Sequence, residues 1–108
     1  MEKTGYIVVL ITASSEEEAQ KISQVLLEKR RVACVNVAPK VKSQFWWQGK
    51  LDNAEEFLLI IKTKASALSD VIKLVKKIHS YTVPEIIALP IVGGNEDYLD
   101  WIGREVME

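Results

Sequence analysis

Strand, helix, strand, strand, helix, strand, then one more helix: that order predicts an α+β domain of the ferredoxin-like split βαβ type (βαββαβ), with an antiparallel sheet and an extra C-terminal helix. Three observations carry the prediction. Two amphipathic helical patterns, at 15–30 and 66–79, each follow a β-branched apolar run. Between them lies a long extended stretch interrupted by the turn residues Gln48 and Gly49. The apolar run Ile86–Val92 then closes on Gly93-Gly94. At 108 residues, without a linker or an internal repeat, the chain reads as one domain, 1–108.

Tyr6–Ile11 is apolar and β-branched on both faces, which predicts a central strand. Ser15 with Glu18 three residues on is a capping-box signature that opens the first helix. Ala19, Ile22, Val25 and Leu26 form its buried stripe, and the helix should end near Arg30. Val32–Trp47 is extended, and Pro39 inside it marks a bulge, a bend or an edge position, because proline has no N–H for a ladder. Lys40 and Lys42 around Val41 suit a guarded edge. After Gln48-Gly49, Lys50–Asn53 is a returning arm and Phe57–Ile61 a second fully apolar strand, making a long hairpin. Leu68, Val71, Ile72, Val75 and Ile78 stripe the second helix. The turn His79–Pro84 follows, then the strand Glu85–Val92. Asn95 caps a last helix bearing Tyr98, Leu99, Trp101 and Ile102, which ends near Met107.

This fold puts its two main helices on one sheet face, so its strands should alternate apolar and polar. Tyr6–Ile11, Phe57–Ile61 and Ile86–Val92 do not. Something must cover the second face, and one spare helix is too little. Sheet-to-sheet packing in an oligomer is the economical answer.

Composition removes several classes of function. Hydrophobic content of 48% against 27% charged is ordinary for a globular chain. With 14 basic and 15 acidic residues and no basic stripe, a nucleic-acid partner is disfavoured. No apolar run approaches the roughly 20 residues of a membrane span. The single cysteine excludes an internal disulfide and fits a reducing compartment, so a cytoplasmic location is expected. There is no phosphate loop, His-Glu-x-x-His, Cys-x-x-Cys or nucleophile elbow, which points away from an enzyme.

Few residues are left to carry chemistry. His79 is the only histidine, and at a helix end it reads as a cap or as a nitrogen donor to a metal. Cys34 lies in an apolar strand, either a small core residue or a soft ligand preferring Cu(I). Trp46 and Trp47 are adjacent in a strand and must face opposite ways, one of them toward a subunit contact or a pocket wall. Strand ends and turns hold polar groups at the least burial cost. A cleft between subunits is therefore expected to be lined by Cys34, Trp47, Glu56, Lys62, His79, Tyr81, Glu85 and Trp101.

Several motifs occur in one order along the chain: Arg31-Val-Ala-Cys-Val-Asn36, Ser43 through Trp47 with Gly49-Lys50, Lys62-Thr63, His79-x-Tyr81-x-Val-Pro-Glu85, and Tyr98-Leu-x-Trp101. In these the chain closely resembles the CutA family of divalent-cation tolerance proteins, over nearly its whole length. The resemblance implies a ferredoxin-like protomer in a tight homotrimer, similar in architecture to the PII signalling proteins. It also implies a link to copper or other divalent metals through tolerance, with no resident cofactor required. A PII-like regulatory module that takes a small ligand or a partner in its intersubunit clefts is the alternative function. The chain departs from the family pattern where the usual His-Pro-Tyr-Glu becomes His79-Ser80-Tyr81-Thr82, and where Phe45 replaces the common Tyr. Ile11 and Ile78 stand at positions where some members carry a cysteine and a second histidine. His79 and Cys34 are then the only strong metal donors.

Overall fold

A computed structural model describes residues 4–107. Strand β1 (Tyr6–Ala13) is followed by helix α1 (Glu16–Glu28), then β2 (Cys34–Trp47) and β3 (Lys50–Lys64). A short 3-10 turn at Ala65–Ala67 leads into α2 (Leu68–Ile78), β4 (Ile86–Pro90) and α3 (Glu96–Glu105). The sheet has the order β2-β3-β1-β4 with every neighbouring pair antiparallel, which is the ferredoxin-like arrangement with an added helix. β1 and β3 take the centre, where their continuous apolar runs place them, and β2 is an edge.

Local chemistry accounts for most boundaries. The Ser15 hydroxyl accepts from the Glu18 N–H at 3.1 Å and so starts α1. Glu18 reaches back one residue further than a capping box requires, to the N–H of Ser14 at 2.8 Å. Ala19, Ile22 and Leu26 are buried, whereas Val25 is only half-buried. α1 stops two residues before Arg30, which turns the chain with φ of 54°. β2 and β3 join through Gln48 and Gly49, both at positive φ (52° and 78°), the backbone of a two-residue hairpin between Trp47 and Lys50.

Pro39 marks a bulge. Ala38 pairs with Leu58 and Val41 with Glu56, so β2 spends one residue more than β3 across this interval, and Lys40 adopts φ of 56°. Beyond it the side-chain parity of β2 is reversed. Val41, Ser43, Phe45 and Trp47 therefore lie on the same side as Ala38, and Trp46 lies on the other.

Several strand bounds differ from those expected: β1 runs on from Ile11 to Ala13, still paired with Phe57, and β4 starts at Ile86 rather than Glu85. β2 begins at Cys34 rather than Val32, because Ala33 N–H closes onto the Lys62 carbonyl as the chain enters the sheet. Lys50–Asn53 and Phe57–Ile61 are one strand, since the ladder continues through the polar residues between them. β4 ends at Pro90: after a last bond from the Ile91 N–H to the Tyr6 carbonyl (3.0 Å), the Thr4 hydroxyl donates to the Ile91 carbonyl (2.6 Å) and accepts the Tyr6 N–H (3.2 Å), which closes the ladder.

The main core lies between the sheet and α1/α2. Val9, Ile11, Ile22, Leu26, Leu59, Ile61, Val71 and Val75 are completely buried there. On the opposite face the register aligns Val8 with Lys62 and Leu89, and Leu10 with Ile60 and Ile87. α3 covers only one end of that face. Ile102 and Val106 seat against Ala67, with Tyr6, Ala33, Leu99 and Trp101 around them. The Met107 N–H to Arg30 carbonyl bond (2.8 Å) and the Arg30–Glu105 ion pair (2.7 Å) tie this end down. Ile87 and Leu89 remain 50% exposed.

Candidate functional site

The turn that follows α2 gathers the polar side chains at the far end of β1. His79 caps α2 with extended backbone (φ −74°, ψ 141°), its N–H bonded to the Val75 carbonyl at 2.9 Å. Its ring is fully buried. Nε2 lies 2.7 Å from the carbonyl of Thr12, which can only accept, so Nε2 carries the proton. Nδ1 accepts the N–H of Tyr81 at 3.0 Å. Both ring nitrogens are thus committed to the chain's own backbone. The Tyr81 ring stands 4.9 Å from the imidazole, and its hydroxyl donates to Glu56 Oε2 at 2.8 Å. Burial, the bond to Glu56 and the charges of Glu56 and Glu18 push the phenol up to about 12.

Glu18 anchors the same turn from α1. Its Oε2 accepts the N–H of Ser80 at 2.7 Å, and its Oε1 accepts the N–H and hydroxyl of Ser14 at 2.8 and 3.0 Å. The Ser14 and Ser80 hydroxyls are 3.3 Å apart. Burial disfavours the charge on Glu18, but the hydrogen bonds from Ser14 and Ser80 outweigh it and hold the carboxyl at about 2.

A second polar group forms under α3. Cys34 Sγ lies 3.7 Å from Asn36 Oδ1, which also accepts from Lys62 Nζ. Cys34 pairs across the ladder with Lys62. Tyr98 sits beside the Cys34 sulfur, its phenol pushed up by burial and by that neighbour. Its ring lies 5.5 Å from that of Trp101.

Of the residues expected to share a site, one chain therefore brings His79, Tyr81 and Glu56 together. It places Cys34 and Lys62 in a separate group, beside the Tyr98–Trp101 pair. Cys34 aligns through Lys62 with Val8, whereas His79 is held at Thr12, four residues or about 13 Å further along β1. The two strong donors do not converge within a chain. No three His, Cys, Asp or Glu side chains gather into a metal-binding group among the described residues. Glu85 is exposed just before β4, and Trp47 is 45% exposed at the hairpin tip. Two open hollows among the described residues lie along α2 by Leu68 and Ile72, away from both groups, and beside Trp101 and Ala33, next to the second.

Glu18, Ser14, Ser80 and Asn36 escape sequence reasoning. Glu18 is legible as a helix cap, but its second partner, Ser80, is 62 residues away.

Comparison with known proteins agrees along the whole domain. The family described as CutA1 divalent ion tolerance protein matches residues 7–105. The divalent-cation tolerance protein CutA of Archaeoglobus fulgidus is 49% identical over 98 residues, covering 91% of this chain and 95% of that protein. The CutA of Thermus thermophilus is 50% identical over 95 residues, covering 88% and 92%. A solved structure of the Archaeoglobus fulgidus protein, described as periplasmic, superposes with a TM-score of 0.91 at 47% identity, covering 94% of this chain and 99% of that one. Family profile, relatives and fold agree, and the chain belongs to the CutA family of divalent-cation tolerance proteins.

Proposed function

We propose that this protein acts in divalent-cation tolerance as a homotrimer, without a catalytic step or a resident cofactor of its own. The observation that carries the reading is the uncovered sheet face. Val8, Leu10, Leu58 and Ile60 share that face with Ile87 and Leu89, and on the hairpin Phe45 (37% exposed) and Trp47 (45%) continue it on the same side. So large an apolar surface on a small chain calls for further copies of itself. Copper or another divalent cation is the proposed cargo. Cys34 is its soft donor and His79 the nitrogen donor, with other ligands drawn from more than one copy. The cleft between copies is proposed to include Trp47, Glu56, Lys62, Tyr81, Glu85 and Trp101. The proposed location is cytoplasmic, supported by the single cysteine; no helix among the described residues is long and apolar enough to cross a membrane.

One observation favours a second reading. Because both His79 nitrogens are hydrogen-bonded within the chain, a metal ion would have to displace the Tyr81 amide or the Thr12 carbonyl. A cleft that takes a small ligand or a partner, with no direct metal role, needs no such exchange.

Light scattering should give a mass near three times the 12.2 kDa chain. Copper titration of wild type against Cys34→Ala and His79→Ala then separates the readings. Weaker binding in both variants supports shared ligation. Binding untouched by either variant removes both residues as ligands and leaves the ligand cleft.

A further inference from the structure

We infer that the hairpin arm of one copy docks along the free edge of β4 in the next, with Trp46 and Leu51 seated in the hollow beside α2. These two residues are cross-strand partners near the hairpin tip, 74% and 65% exposed. They lie on the helix side of the sheet, because Leu51 has the parity of Leu59 and Ile61, which pack beneath α1 and α2. Packing on the open sheet face therefore leaves this pair uncovered.

The hollow has the matching chemistry. Ala65, Leu68 and Ile72 give it an apolar wall, with Ser69 and the exposed Lys73 at its rim. An apolar wall beside an ammonium suits an indole, which offers a large apolar body and a face that attracts a cation. The hollow is also in the right place. Asp70 pairs with Arg31 at 3.2 Å, which turns its side of α2 toward β2. Leu68 and Ile72 are each about half a turn from Asp70, so they stand on the opposite side, over β4. β4 is an edge strand. The bond from the Ile91 N–H to Tyr6 fixes which residues face β1, so Ile86, Ala88 and Pro90 turn their backbone groups to the free edge. A strand laid there brings alternate side chains beneath the hollow and the others onto the open face beside Ile87 and Leu89. Trp46 and Leu51 answer to the first position, and Phe45 and Trp47 to the second.

The occupant is a second copy, because a chain cannot fill its own hollow. The arm projects from the Lys50 end of β3, and the hollow opens at Ala65, just past Lys64. A strand of 15 residues, about 45 Å, separates them. An arm at one end of the chain and its socket at the other make a heterologous contact, the kind that closes a ring.

The inference rests on the homotrimer proposed above, and the experiment separates the two. In a Cys34→Ser background, Leu51→Cys and Ile72→Cys are placed on one chain, and the native assembly is treated with a short bismaleimide. Denaturing gels should show covalent dimers and trimers. Either single variant should run as single chains, and links of equal strength in a single variant would overturn the inference. Trp46→Ala should raise chain dissociation, read by light scattering on dilution in mild denaturant, by roughly tenfold or more. Adding Ile72→Ala to it should change dissociation by less than about twofold. Full additivity of the two substitutions overturns the inference. So does a trimer whose chains do not link between Leu51 and Ile72, and in that case the homotrimer stands. A wild-type mass of 12.2 kDa removes both readings.

Discussion

β3 is one strand in its hydrogen bonding and two in its surroundings. From Lys50 to Glu55 it forms the outer arm of the hairpin, and all but Ala54 are exposed. From Leu59 to Thr63 its inward residues are completely buried beneath α1 and α2. The ladder to β2 runs through both halves, interrupted only at the Ala38/Val41 bulge. Backbone pairing is thus shared, and packing is not. A two-stranded arm is marginal in water on its own. An arm ending in Phe45, Trp46, Trp47 and Leu51 carries large apolar side chains that its own chain leaves 37–74% exposed.

The largest expected effect tests the buried half. Leu59→Ala removes a completely buried side chain and should cost about 2–5 kcal/mol in denaturant unfolding. Leu51→Ala, at 65% exposure, should cost under about 0.5 kcal/mol if the arm is free in solution. A cost for Leu51→Ala above about 1 kcal/mol would show that the arm is docked. The next effect falls on assembly. Ile60→Asp puts a charge on the open face opposite Leu10 and should reduce the scattering mass to that of the 12.2 kDa chain. A trimer that survives this change would move the interface off the sheet.

Acid tests the site end of the body. The Glu18 carboxyl is held at about 2 against an ordinary 4.5, so its stabilisation is complete above pH 4.5 and is lost as pH falls through about 2. After discounting for solvent screening the contribution is about 1–2 kcal/mol. Acid unfolding of Glu18→Gln should lack that component, and identical acid curves for the two proteins would refute it. The smallest effect is at the hairpin tip. Gly49→Ala at φ of 78° should cost about 1 kcal/mol, seen as a small drop in Tm, with no change in the core exchange rates.

The sequence by itself determined what is local. Helical stripes, the Ser15 cap, the two-residue turn at Gln48-Gly49 and the interruption at Pro39 follow from periodicity and backbone sterics within a few residues. The strand order and the uncovered face were also legible, because the number and sequence of elements leave few right-handed topologies. What the tertiary structure decided are the long-range meetings. Glu18 finds Ser80, Glu56 finds Tyr81, and His79 gives both of its nitrogens to the backbone, while Cys34 stays about 13 Å along the sheet from it. No pattern in the chain encodes those partners. They depend on ladder register and on one bulge, and a single extra residue there sends Trp47 to the side of Glu56 and Trp46 to the other.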